Sequence, residues 1–317
     1  MTAPEAHIRA IDCGYVRPRL AASHLIVDEG RAAIVDTGTT HSVPRLLAGL
    51  AEAGLSADQV DYVLLTHVHL DHAGGAGALL RHLPNALCVL HPRGAPHMID
   101  PAKLIAGSVA VYGAETFARL YGEIVPIPSD RVRTVADGER MSLGSRELEF
   151  LHTPGHALHH YCIVDLAADV IFSGDSFGLS YREFDTAAGE FIFPTTTPVH
   201  FDPAAAHATI DRLMARAPRA IYLTHYSRVT HLDRLAADLH ACLDAFVDLG
   251  RRYADYPDRT ARLKKEMFQY LSHRLDAHGD THEPAARHEL LDMDVDLNVQ
   301  GLEFWMDRQQ KAQVTGG

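Results

Sequence analysis

Short apolar runs separated by polar turns fill most of the chain up to Val229 and predict alternating strands and helices. Runs rich in β-branched residues predict strands at His24–Val27, Ala32–Val35, Asp61–Thr66, Ala86–Leu90, Arg131–Val135, Glu147–His152, Tyr161–Asp165, Val170–Ser173 and Ala220–Thr224. Helical periodicity predicts helices at Ser42–Gly54, Ala76–His82 and Pro203–Ala215, and helical character within Pro92–Gly122. This order indicates an α/β chain with layered sheets inside and helices outside.

Beyond Val229 the pattern changes, and only helices are predicted. They cover Leu232–Tyr253, Arg259–His278 and Ala285–Lys311. We therefore expect an α/β domain over residues 1–229 and a C-terminal helical extension over residues 230–317. The apolar stripe of the extension favours packing against the domain, and a lid over the active site or a homodimer interface are the alternatives.

Composition narrows the function classes. The 317 residues carry a net charge of −12 with His neutral, which disfavours nucleic acid because binding it requires Lys and Arg at the phosphates. No apolar run is long enough for a membrane span and no signal peptide is evident, so we expect a cytoplasmic protein without a membrane partner. Four scattered cysteines form no C-x-x-C pair, and Cys88 and Cys162 read as buried thiols.

The densest group of chemically capable side chains lies at Thr66–Gly75, which reads THVHLDHAGG. It follows the apolar run Val63–Leu65 and precedes a predicted helix. Three imidazoles and one carboxylate within six residues suit zinc, iron or manganese. The candidate ligands in this segment are His67, His69, Asp71 and His72. The segment therefore predicts a metal centre at a strand end.

Three further candidate ligands each follow a predicted strand, where loops hold functional groups above a rigid sheet. They are His156 in TPGHALHH, Asp175 in FSGDSF and His225 in LTHY.

The ordered set THVHLDHAGG, TPGHALHH, FSGDSF and LTHY resembles the metallo-β-lactamase fold superfamily, over roughly Ile8 to Val229. The resemblance implies an αββα sandwich, here with the helical extension, and a two-metal site at one edge of its sheets. Carried over by motif, one ion takes His67, His69 and His156. The other ion takes Asp71, His72 and His225, and Asp175 bridges the two.

Two weaker candidates also match motif positions of this family. The resemblance implies that Asp36 lies near the metals, where it orients a His ligand or caps a turn. It implies that His160 is a hydrogen-bonding neighbour, with packing or a ligand role as the alternatives.

The implied activity is that of a binuclear metallohydrolase. A metal-bridging hydroxide would attack a small-molecule ester, thioester, lactone, amide or phosphoester. Asp71 would bind metal and also transfer a proton, and Tyr181 and Tyr226 are candidate donors to a developing oxyanion, with ordinary packing as the alternative. Zinc is the favoured metal, with iron or manganese as alternatives.

The fold does not determine the substrate, and other functions stay open. Glyoxalase II-like thioesterases and lactonases are similar to this chain in their ligand set, although both differ in detail around the later motifs. Iron-dependent oxygen or persulfide chemistry on the same fold is one alternative function. A regulatory or interaction protein with a vestigial metal site is another. Metal analysis and a hydrolysis panel separate the three.

Overall fold

The structure is a computed structural model and describes residues 7–315 of the chain. Mutual contacts divide the chain into two units. We call the first, Met1–His152 with His159–Gly174 and Ala217–Thr230, the sheet unit. The second, Thr153–Leu158 with Asp175–Arg216 and His231–Gly317, is the helical unit. The domain boundary predicted between residues 229 and 230 stays a prediction.

The first sheet of the sheet unit has the order β1-β2-β3-β4-β5-β6. Its strands are β1 (Ile8–Asp12), β2 (Ala22–Asp28), β3 (Arg31–Val35), β4 (Val60–Leu64), β5 (Leu87–Leu90) and β6 (Val132–Thr134). β1, β2 and β3 pair antiparallel, whereas β3 to β6 pair parallel. The parallel strands therefore end at one common edge, where loops can converge.

The second sheet has the order β12-β11-β10-β9-β8-β7. Its strands are β7 (Arg140–Leu143), β8 (Arg146–His152), β9 (Tyr161–Asp165), β10 (Val170–Gly174), β11 (Ala220–Leu223) and β12 (Ser227–Val229). Only β10 and β11 pair parallel; the other neighbours are antiparallel. The nine predicted strands are all present, and the sequence reasoning missed β1, β7 and β12.

Two apolar layers hold the sheet unit together. Between the sheets, Ile26, Val35 and Leu64 pack with Phe150 and Phe172. The other face of the first sheet packs against helices, through a core that includes Ile34, Val63, Leu46, Leu79 and Met98. Because both faces of β3 and β5 are buried, their sequences are almost uniformly apolar.

The helices of the sheet unit cover the predicted positions with shorter bounds. They are α1 (Val43–Glu52), α2 (Leu70–Ala73), α3 (Ala76–Leu80), α4 (Ala95–Ile99), α5 (Ala102–Tyr112) and α6 (Ala114–Tyr121). Pro44 lies in the first turn of α1, where its missing N–H costs nothing. The four-residue α2 was not predicted, and it carries two of the candidate ligands.

The helical unit contains α7 (Pro203–Met214), α8 (Leu232–Tyr253), α9 (Arg259–His278) and α10 (Pro284–Thr315). Asp202 caps α7 by accepting a hydrogen bond from the Ala205 N–H. Arg287 fixes the turn between α9 and α10, since its guanidinium donates to Asp276 at 2.7 Å and Asp280 at 2.8 Å. Across residues 7–315, no helix combines the length and apolarity that a bilayer span requires.

Candidate metal centre

Three strand ends of the sheet unit carry the first group of candidate residues. Asp36 follows β3, the segment from Thr66 to His72 follows β4, and His225 follows β11. The parallel register pairs Val35 with Leu64, which places the first two loops side by side. The third is joined to the first sheet because the N–H of Ala22 donates to the carbonyl of Thr224 at 2.8 Å.

His67 and His69 lie together in the turn that leads into α2. The Nε2 of His67 is 2.9 Å from the Nδ1 of His69. Two ring nitrogens at this distance hold a proton or a metal cation between them, since two lone pairs would repel. The N–H of Ala73 donates to the carbonyl of His69, which fixes the turn at the start of the helix.

Asp71, His72 and His225 form a second donor set, with one ligand atom from each within 4.8 Å of the others. The Oδ2 of Asp71 lies 3.6 Å from the Nε2 of His72 and 3.3 Å from the Nε2 of His225. His72 is 1% and His225 6% exposed as side chains, whereas Asp71 is 23% exposed. The carboxylate therefore reaches the open side of the set.

The far side of each imidazole in this set is fixed by a buried acceptor. The Nδ1–H of His72 donates to the Oδ2 of Asp36 at 2.9 Å. The Nδ1–H of His225 donates to the carbonyl of Leu20 at 2.7 Å. A neutral ring that carries its proton on Nδ1 presents a lone pair on Nε2. Two nitrogen lone pairs and a carboxylate then converge, which is a donor set that suits a divalent transition metal.

Asp36 holds the three loops in register. Its carboxylate accepts from the backbone N–H of Thr66 at 2.8 Å and from two threonine hydroxyls, those of Thr66 and Thr224, each at 2.8 Å. It is 1% exposed and has a φ of +54°, a backbone region that Asp and Asn tolerate better than most residues. The prediction that Asp36 contacts a His ligand is confirmed by its bond to His72.

One signal for this network was present in the sequence but was not used. Leu-Thr-His occurs twice, at Leu65–His67 and at Leu223–His225. In both copies the threonine hydroxyl bonds to Asp36 and the next residue is a candidate ligand. The repeat therefore marks two loops that share one buried carboxylate.

Gly174 and His160 pack against the first loop. The ring of His160 stacks on that of His67, with centroids 4.8 Å apart. Gly174 has a φ of +50°, and a Cβ there would lie 2.6 Å from the Thr66 Oγ1 and 2.8 Å from the His160 Nε2. Only glycine fits at this end of β10 without displacing the side chains that support His67.

The helical unit brings together the two remaining ligand candidates. The Nε2 of His156 lies 3.5 Å from the Oδ2 of Asp175, and both residues are buried. The Nδ1 of His156 lies 3.4 Å from the hydroxyl of Thr197, a contact that the sequence reasoning missed. The Pro154–Gly155 turn before His156 rests on α7, where Thr209 donates to the Pro154 carbonyl at 2.7 Å.

The tyrosines predicted as oxyanion donors are placed differently from each other. Tyr181 is 1% exposed, and its hydroxyl lies 2.9 and 3.0 Å from the two carboxylate oxygens of Asp294 on α10. Its predicted role stays a prediction and requires the hydroxyl to exchange Asp294 for substrate. Tyr226 is half-buried and directly follows His225. No sequence signal pointed to Asp294, which is 113 residues away from Tyr181.

The inner side of this region is strongly desolvated. Burial lowers the pKa of His24 to about 4, although the nearby Asp36 carboxylate acts in the opposite direction. Burial and the negative charge of Asp36 raise the pKa of the Cys13 thiol to about 12. His24 is therefore neutral at pH 7. The thiols of Cys88 and Cys162 are buried, as predicted.

Comparison with known proteins places this geometry in a family context. The sequence model of the metallo-beta-lactamase superfamily matches residues 16–225. A metallo-beta-lactamase fold-containing protein, ST1585 of Sulfurisphaera tokodaii, is 26% identical over 69% of this chain and 77% of its own length. A hydroxyacylglutathione hydrolase of Aeromonas hydrophila is 29% identical over 66% of this chain. The alignment spans 62% of that hydrolase.

Solved structures agree on the fold. The crystal structure of ST1585 superposes with a TM-score of 0.65 at 21% identity, covering 93% of this chain and 97% of that one. A metallo-beta-lactamase family protein, TTHA1429 of Thermus thermophilus, gives a TM-score of 0.65 at 22% identity, covering 91% and 94%. The predicted fold class, an αββα sandwich with a C-terminal helical extension, is confirmed by these matches.

Proposed function

Because the chain belongs to the metallo-beta-lactamase superfamily, we propose that it is a metal-dependent hydrolase with two divalent ions. His67, His69 and His156 would hold one ion, and Asp71, His72 and His225 would hold the other. Asp175 would be a ligand shared by both. The family, the set of Asp71, His72 and His225, and the contact between His156 and Asp175 support this assignment. Zinc is the favoured metal because the donors are imidazole nitrogens and carboxylate oxygens.

The observation that carries the proposal is the far-side bonding of His72 and His225. Their Nδ1–H groups are committed to Asp36 and to the Leu20 carbonyl, so both Nε2 atoms face Asp71 as acceptors. Metal-binding histidines adopt this arrangement because the second hydrogen bond fixes the tautomer and the orientation of the ring.

In the proposed reaction, the side chains of the protein have separate roles. When bound, divalent ions lower the pKa of water and polarise a carbonyl or phosphoryl oxygen. Asp36, Thr66 and Thr224 keep the donor set in one geometry. Asp71, the most exposed member of its set, is placed to accept a proton and pass it to a leaving group. Tyr226 and Tyr181 are the candidate donors to substrate, and Tyr181 would have to release Asp294 first.

The substrate that we favour is a small-molecule thioester or ester. A hydroxyacylglutathione hydrolase among the relatives supports the thioester, and lactones and phosphoesters are the other members of the class to be tested.

Metal analysis of protein purified without chelators, followed by a panel of thioester, ester, lactone and phosphoester substrates, tests the function. We expect two equivalents of zinc or manganese and turnover of at least one substrate class. His225→Ala should lose metal and turnover, while the control His288→Ala, which removes an exposed histidine of α10, should keep both. Native iron with oxygen uptake and a silent hydrolysis panel would overturn the proposal.

A further inference from the structure

A pentapeptide of the form His-Ala-x-x-Asp occurs on two neighbouring helices of the helical unit. It spans His207–Asp211 on α7 and His240–Asp244 on α8. Side chains four residues apart lie on one face of a helix. Each helix therefore presents a histidine and an aspartate together, and none of these residues belongs to the centre described above.

The two pairs face each other in antiparallel register. The rings of His207 and His240 are parallel within 1°, with centroids 4.9 Å apart and their Nδ1 atoms 2.6 Å apart. The Nε2 of His207 lies 3.3 Å from Asp244, and the Nε2 of His240 lies 3.2 Å from Asp211. Each ring thus contacts the carboxylate of the opposite helix.

The positions of the ring protons determine whether the two Nδ1 atoms attract or repel each other. A ring nitrogen that faces a carboxylate carries a proton, so both Nε2 atoms act as donors. If both rings are neutral, two Nδ1 lone pairs point at each other at 2.6 Å and repel. A cation between the two Nδ1 atoms, either an extra proton or a metal ion, removes this repulsion and keeps both Nε2 atoms as donors to their carboxylates.

We propose that His207 and His240 bind one divalent transition-metal ion through their Nδ1 atoms. Metal-binding imidazoles are commonly oriented by a carboxylate on the nitrogen that faces away from the metal. Asp244 has this position for His207, and Asp211 has it for His240. Zinc–imidazole bonds are about 2.0–2.1 Å, so the nitrogens must separate to about 3 Å. The side chains are 28% and 29% exposed, which leaves room for this rotation and for water as further ligands.

The ion would brace the helix that supports the His156 turn. Besides the Thr209 contact, the N–H of Asp202 at the start of α7 donates to the carbonyl of Gly155 at 2.9 Å. A cation that joins α7 to α8 therefore stabilises the helix beneath a proposed catalytic ligand. The inference does not depend on the proposed hydrolase function, because its four residues lie outside that site.

Zinc binding to the intact protein tests the site. Wild-type protein, His207→Ala and His240→Ala are dialysed against the same micromolar free Zn²⁺ at pH 7.5, and bound zinc is counted. We expect each variant to bind one equivalent less than wild type. His288→Ala is the matched control, since His288 also has an aspartate, Asp292, four residues later but no second histidine across from it.

Two further measurements keep the result decisive. Asp244→Asn retains both nitrogens and should bind the extra zinc about 10–100-fold more weakly, as loss of an outer carboxylate does elsewhere. Zinc added beyond the catalytic ions should raise the melting temperature of wild type and His288→Ala but not of His207→Ala. Circular dichroism shows whether an alanine variant has misfolded. In that case the zinc affinity of Asp244→Asn tests the site instead. Equal zinc stoichiometry and affinity in all folded variants would overturn the proposal.

Discussion

The buried donor set of the sheet unit and the partly exposed histidine pair on α7 and α8 orient their imidazoles in the same way but in different surroundings. In both, the far nitrogen of each imidazole faces a hydrogen-bond acceptor, which leaves the near nitrogens to converge. For His72 the acceptor is Asp36, which is 1% exposed. For His207 and His240 the acceptors are aspartates that are 73% and 74% exposed.

The difference in exposure of these aspartates predicts different functions for the two histidine sites. A buried acceptor in a dry surrounding keeps the imidazole in one orientation, which catalysis requires. An acceptor in water is screened and mobile, so it orients the ring only weakly. We therefore expect tight binding and turnover at the buried set, and weaker, proton-sensitive binding on the helices.

The largest expected effect separates the two sites by turnover. His225→Ala removes a nitrogen donor, and hydrolysis of the best substrate should fall by at least about 1,000-fold, or roughly 4 kcal/mol in the barrier. His207→Ala should change the same rate by less than about twofold, because the contacts of its ring with His240 and Asp244 lie outside the proposed catalytic site. Steady-state kinetics on zinc-loaded protein measures both. Comparable losses of hydrolysis rate in the two variants would contradict the assignment of turnover to the buried set alone.

The next effect concerns the acceptors themselves. Asp36→Asn keeps the shape and tolerates the φ of +54°, but it removes the charge that His72 donates to. Zinc affinity at the buried set should fall about 10–100-fold. Zinc competition against a chromophoric chelator gives the affinity, and far-UV circular dichroism checks the fold. An unchanged affinity would show that Asp36 acts only in packing the three loops.

The smallest effect tests how dry the buried region is. The pKa of His24 is lowered from 6.5 to about 4, so between these values the unfolded chain takes up a proton that the folded chain does not. The stability associated with neutral His24 is present at pH 7 and is lost as the pH falls below 6.5. From pH 7 to pH 5 the loss is about 2 kcal/mol.

Urea unfolding of the chelated protein at the two pH values measures this loss. His24→Gln should reduce the difference between pH 7 and pH 5 by about that amount relative to wild type. His288→Gln serves as a control for removing one histidine from an exposed position. Identical pH dependence in wild type and His24→Gln would show that the region is wetter than its burial implies.

Long or fully buried elements could be predicted from the sequence, whereas three of the four edge strands could not. The bounds predicted for α8 and α9 agree with the structure because many turns repeat one apolar face. The missed strands β1, β7 and β12 lie at sheet edges, where exposed polar side chains interrupt the pattern. The short α2 was missed because four residues do not establish a period.

The candidate site likewise has residues that could be predicted from the sequence and contacts that could not. Ligand-capable side chains that follow buried strands could be recognised one by one, as with His156 and His225. Contacts between distant segments could not, because no local pattern records them. The bonds of Asp36 to Thr224 and of Tyr181 to Asp294 join residues 188 and 113 positions apart. Such pairs are set by the fold rather than by neighbouring residues.

The sharing of Asp36 by two Leu-Thr-His segments has a consequence for how the protein is made. Asp36 and Thr66 leave the ribosome early, but Thr224 and His225 follow about 160 residues later, a delay on the order of ten seconds or more at usual elongation rates. Until β11 pairs with β10, the first loops lack their last hydroxyl and their last imidazole. Under the proposed function, the ion of this set would therefore be bound late in biogenesis, because a nascent chain stalled before β11 has no His225 to bind it.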